Sequence, residues 1–178
     1  DVSAAAHFPA KVAAKLPIKA NAALTSFRLE GIAPSIAYRR DKLEALLKPF
    51  GVLAALKADE SRALWRATRD VLPFAQNISH ALWRISVTPT LGAKIGSAIA
   101  AATGASVFYD WAGGLIWAEM PGEEPHAEAV RGALGKALDA HASSTEKHAK
   151  HTRDVVVPAM NDLREIGEDL FQRATARL

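Results

Sequence analysis

The chain has no cysteine among its 178 residues, which excludes a disulfide framework, a thiolate nucleophile and a zinc–thiolate site. It also lacks a long apolar run. Charge or glycine interrupts every such stretch within about ten residues, well short of the roughly 20 a bilayer-spanning helix needs. Eleven glycines and nine prolines are ordinary usage, so nothing here is collagen-like or broadly disordered. No strand-like segment is followed by a Gly-x-Gly-x-x-Gly phosphate loop, and no Gly-x-Ser-x-Gly elbow is present. A dinucleotide fold and a serine hydrolase therefore have no anchor. No basic-then-apolar leader follows Asp1-Val2-Ser3. A soluble, cytoplasmic α+β domain is the expectation.

What is present is unevenly charged. Residues 1–90 hold 13 Lys/Arg against 7 Asp/Glu, and residues 91–178 hold 9 against 12. A positive first half suits an anionic substrate or an acidic partner. Its basic residues lie singly on helix faces, without the clustering that nucleic-acid binding requires, so no nucleic acid is expected.

Residues 1–23 read as an Ala/Pro/Lys connector interrupted by Pro9 and Pro17. Alternation and turn residues then predict strands at about 24–30, 52–57, 82–88, 105–111 and 114–120. Helical spacing predicts helices at 34–49, 59–72 and 91–103, with Asp59 and Thr90 as caps and Gly104 as a stop. A further helix, weakened by Gly132 and Gly135, is expected at 125–141. Residues 142–160 read as a loop and 161–178 as a closing amphipathic helix. Short strands alternating with helices and a late hairpin favour an α+β fold, an open antiparallel or mixed sheet covered on one face by helices, over a doubly wound sheet.

Several residues could carry chemistry. Arg84 stands mid-strand, opposite in face to Trp83 and Ile85, and needs an internal carboxylate, a domain contact or a bound acid as its partner. Arg69 ends a helix, where it is either a solvated residue favoured by the dipole or a ligand group. Tyr109, Asp110, Trp111 and Trp117 surround the Gly113-Gly114 turn and suit either a two-layer core or a cleft or interface. His141 would share a face with His148 and His151 if that stretch were helical, but the surrounding Lys and Arg do not resemble a cation site.

Four segments together carry a resemblance: Phe27-Arg28-Leu29-Glu30-Gly31-Ile32-Ala33-Pro34-Ser35, Leu64-Trp65-Arg66-Ala67-Thr68-Arg69-Asp70, Leu82-Trp83-Arg84-Ile85-Ser86-Val87-Thr88-Pro89, and Tyr109-Asp110-Trp111-Ala112-Gly113-Gly114-Leu115-Ile116-Trp117. In this order they resemble the C-terminal half of the GlcE-type subunit of glycolate oxidase, in the FAD-linked oxidase family of D-2-hydroxy-acid dehydrogenases. The resemblance covers residues 24–141. It implies a cap or substrate domain over 24–141 built on a ferredoxin-like antiparallel sheet with helices packed on one face, with 1–23 as the linker from a missing N-terminal FAD-binding domain and 161–178 as a truncated end.

It further implies FAD in the full-length subunit and none in this fragment. The implied partners are a second flavoprotein subunit, an iron–sulfur subunit and a small 2-hydroxy acid. The protein would be cytoplasmic, reaching a membrane only through the complex and not as an integral membrane protein. Arg69 falls where relatives hold the substrate carboxylate, and Arg84 is a second, weaker candidate. Relatives that bind a divalent metal use a Gly-His-x-Gly-Asp-Gly-Asn-Leu-His segment. Asp110 and Trp117 stand where its histidines would be, so no metal is expected, because an indole cannot ligate as imidazole does. On this resemblance the fragment alone is inactive. A non-catalytic assembly domain, and a stand-alone ferredoxin-like module for a ligand or nucleic acid, are the competing readings.

Overall fold

The computed structural model describes residues 2–139. The expectations for His141, the 142–160 loop and the 161–178 helix lie outside the described residues. One compact unit spans Asp1–Leu134, and of a second, Gly135–Leu178, only residues 135–139 are described.

Five strands, β1 (Ala4–Phe8), β2 (Leu24–Arg28), β3 (Leu82–Ser86), β4 (Ser106–Asp110) and β5 (Leu115–Glu119), form one sheet in the order β2-β1-β4-β5-β3. Every neighbouring pair is antiparallel. Helix α1 (Ala10–Ala13) follows β1, and α2 (Ala33–Leu47) and α3 (Ala58–Arg69) lie between β2 and β3. Helix α4 (Pro89–Thr103) joins β3 to β4, with β5 inserted between those two strands. This split β-α-β arrangement is a ferredoxin-like α+β fold. A last helix covers 127–139.

The helices do not share one face of the sheet. Register places Phe108 opposite Trp117 and Tyr109 opposite His7 and Ile116, so successive residues of β4 face opposite ways. On the Phe108 side, Phe8 and Phe108 are buried with Val12, Ala13 and Leu16 around α1, Leu64 and Ala67 of α3, and Phe74. The Phe108 ring lies 5.3 Å from Phe8, 5.3 Å from Phe74 and 6.5 Å from Trp117. On the Tyr109 side lies α4, its Gly96 backbone against the Tyr109 ring and its Leu91, Ile95 and Ile99 buried. The reason is in the central strands: Val107, Phe108, Tyr109, Leu115, Ile116 and Ala118 are all buried. Strands apolar on both sides need cover on both sides.

The 1–23 stretch is not a wet connector. Ala4–Phe8 pairs with β2 on one side and β4 on the other, and Phe8 is wholly buried. Three alanines have poor strand propensity, but pairing on two sides overrides it. Pro9 precedes α1 as its N-cap and so interrupts nothing. Conversely, 52–57 forms no strand; it is irregular and exposed throughout. Helix α2 has Pro34 in its first turn as expected, yet buries no residue. Ile32, Tyr38, Leu46 and Phe50 around it are largely in water. The start of α3 is tied not by Asp59 but by Glu60, whose carboxylate accepts from the Lys57 N–H at 2.9 Å. Helix α4 starts after Thr88 rather than Thr90, and Gly104 ends it at φ 72°.

Among the described residues one charged group is buried. Glu119 ends β5 and accepts from Asn77 Nδ2 at 3.0 Å, with Lys15 Nζ at 3.6 Å and His80 Nδ1 at 3.8 Å. It joins the α1 segment and the 75–81 loop to the sheet.

Candidate functional site

The site forms where β4 turns into β5. Asp110 and Leu115 close the ladder, leaving Trp111-Ala112-Gly113-Gly114 as the tip. Trp111 and Ala112 are both left-handed, at φ 53° and 54°, a region that costs a residue with a side chain about 1–2 kcal/mol. Three contacts hold this backbone. The Asp110 carboxylate accepts from the Trp111 N–H at 2.8 Å. Val87 N–H donates to the Gly114 carbonyl at 2.9 Å. The first turn of α4 presses on the tip so closely that a Cβ on Gly92 would stand 2.0 Å from the Gly113 oxygen, and one on Gly113 2.8 Å from the Pro89 oxygen. Only glycine fits either place.

The tip sets Trp111 beside Arg84. Arg84 pairs directly across from Trp117, so both project from the same sheet face, as does Asp110, two residues beyond Phe108. The Arg84 guanidinium carbon lies 5.1 Å from the Trp111 ring centre and 5.9 Å from that of Trp117, within cation–π range of both. Among the described residues no carboxylate comes within ion-pair distance of Arg84. Its charge is met by two indole faces and by water, with its N–H donors free to take an oxyanion.

Asp110 is half-buried, and burial raises its carboxyl above the ordinary range, against the lowering effect of the Trp111 N–H. A carboxyl with a raised folded pKa adds stability below its unfolded value, and that stability is lost as pH rises through the folded pKa. Asp110→Asn is therefore expected to hold or raise the melting temperature at neutral pH and to flatten its decline from acid to neutral pH. The amide keeps an acceptor for the Trp111 N–H. Asp110→Ala removes that acceptor and should cost about 1 kcal/mol. Thermal melts of both variants between pH 4 and 8 check this.

The other expected residues lie elsewhere. The Arg69 guanidinium grips its neighbour Asp70, Nε to Oδ1 at 2.7 Å and Nη2 to Oδ2 at 3.1 Å, on the open surface. That hydrogen bond raises the Arg69 pKa and lowers that of Asp70. Trp83 shares the opposite face with Ile85 and donates Nε1–H to the Pro125 carbonyl at 2.8 Å. Tyr109 also faces that way, under α4, with its pKa raised by burial. His7 lies 5.9 Å from the Tyr109 ring, its Nδ1 2.8 Å from the Thr25 hydroxyl and its pKa lowered by burial.

The sequence reading missed Gly92 and Pro89, which hold the tip. A glycine in the first turns of a helix otherwise rich in alanine was the available signal of close backbone approach. Among the described residues no three His, Asp or Glu side chains converge as a metal site would require. No described helix is long and apolar enough to cross a membrane. Comparison of the chain with protein-family models, with curated proteins and with solved structures found no match.

Proposed function

We propose that this chain is the cap domain of a flavin-dependent subunit that oxidises a 2-hydroxy acid, with Arg84 receiving the acid's carboxylate. The observation that carries the reading is a guanidinium beside both Trp111 and Trp117 without a carboxylate of its own among the described residues. Such a fork binds a carboxylate through paired N–H donors, and the neighbouring rings restrict its motion beforehand. The resemblance of four segments to FAD-linked oxidases supplies the reaction class.

The described residues do not fit an FAD diphosphate. The strand-to-helix junctions Phe8-Pro9 and Ser86-Val87-Thr88-Pro89 offer no glycine-rich cradle of amides, and proline removes a donor from each. On this reading the flavin is held by another part of the subunit and supplies the hydride acceptor. This chain's share is to bind and orient the acid and to shield it from water.

In the assembled complex, Arg84→Ala is expected to raise KM for the acid about tenfold or more, since a charge-assisted pair contributes about 1.5–3 kcal/mol. Arg69→Ala should leave turnover unchanged. Unchanged kinetics in the Arg84 variant would remove the substrate role. The competing reading, an assembly domain, is favoured by the exposed apolar side chains Ile32, Leu46, Phe50 and Val52. An Arg84 variant that assembles and turns over normally would support it. The second flavoprotein and iron–sulfur subunits are the partners proposed for either reading.

A further inference from the structure

We infer that the acid taken at Arg84 carries an aromatic or bulky apolar substituent and is not a two-carbon acid. The inference rests on the carboxylate role proposed for Arg84. The Arg84 guanidinium carbon lies 5.1 Å and 5.9 Å from the ring centres of Trp111 and Trp117, so a carboxylate held by its donors sits beside both indoles. A carboxylate gripped by that fork brings the group attached to it within reach of the indoles. Trp111 keeps 55% of its surface in water and Leu82, on the same face as Arg84, keeps 46%. An acid without a side chain covers neither.

The backbone adds an independent reason. A hairpin needing only to turn uses Asn-Gly or Gly-rich pairs at its left-handed positions. Here a tryptophan and an alanine occupy them, with glycine only afterwards. Strain of this kind persists where the surrounding structure enforces it, and it clusters at ligand contacts. The α4 contact through Gly92 enforces it here. An exposed indole kept at such a position suits an apolar ligand surface that buries it.

The test uses the full chain and three probes: mandelate, glycolate and mandelamide, which keeps the phenyl ring and lacks the carboxylate. Binding is followed by calorimetry, with circular dichroism as the control for folding. Mandelate is expected to bind about 10- to 100-fold more tightly than glycolate, the range for burying one apolar side group. Mandelamide and the Arg84→Gln variant should each lose most of that affinity. Trp111→Ala should bring mandelate down toward glycolate, with a much smaller loss for glycolate itself. Equal affinity for glycolate and mandelate, both abolished by Arg84→Gln, would overturn the substituent inference and leave the carboxylate site standing. Mandelate binding indifferent to Arg84→Gln, or no binding of either acid, would overturn both.

Discussion

Phe108→Ala is expected to lower stability by about 3–5 kcal/mol, the range for truncating a fully buried aromatic residue. The ring has no exposure and meets Phe8, Phe74 and Trp117, so its removal leaves a void between sheet and helices that no single neighbour can fill. Phe108→Leu keeps most of the volume and should cost about 1.5 kcal/mol or less. Against a typical total of about 5–15 kcal/mol, the alanine variant sits near the edge of folding. The companion variant is Phe50→Ala. That ring is 86% exposed after α2, and its loss should change stability by no more than about 0.5 kcal/mol. Urea titration of both variants is the measurement. A cost at Phe50 comparable to that at Phe108 would mean that α2 packs on the domain.

The same pair shows which parts of the fold were legible. Phe108 stands at the centre of the apolar run Val107-Phe108-Tyr109, in a segment whose turn residues and pattern predict a strand. Phe50 completes an apolar series with Ile36, Leu43 and Leu47, which predicts a packed helix. The helix forms, but it buries no residue, and Ile36, Leu43 and Leu47 are only half-buried. Periodicity reports that a face is apolar and is silent on what covers it. β1 was illegible for the opposite reason. Ala4-Ala5-Ala6 has no strand signal of its own and is ordered by partners on both sides, β2 starting 16 residues after it ends and β4 lying far along the chain. The split order of the sheet also rests on long-range pairing that no local pattern encodes.

The candidate site divides in the same way. The alternation of β3 placed Arg84 on the face opposite Trp83 and Ile85, and the register bears this out. That Trp111 should lie beside it was not predictable, because strand alternation ends at Asp110 and the tip follows left-handed geometry instead. Arg69 looked equivalent to Arg84 as a lone arginine near a tryptophan. The difference is Asp70, one residue away, which occupies its donors. Tyr109 was grouped with Trp111 and Trp117 by proximity in sequence, and one step along β4 sends it to the other face.

The geometry of the tip leads to the second large effect. Gly92→Ala is expected to cost about 1–3 kcal/mol, the usual range for forcing volume into a packed contact. Its new methyl would meet the Gly113 oxygen at 2.0 Å, and this neighbour is backbone, which cannot rotate aside. The helix or the tip has to move. The tip is the softer partner, already strained at Trp111 and Ala112, so the displacement should carry Trp111 off Arg84. Acrylamide quenching of tryptophan fluorescence, compared between Gly92→Ala and the same change in a Trp111→Phe background, isolates that residue. Quenching should rise in the first and not in the second. Gly132→Ala is the control, because its added methyl meets nothing within 4 Å in the 127–139 helix, and replacing a mid-helix glycine there should add about 0.5–1 kcal/mol. If Gly92→Ala proves as harmless as Gly132→Ala, α4 does not brace the tip. Trp111 would then owe its place beside Arg84 to the hairpin alone.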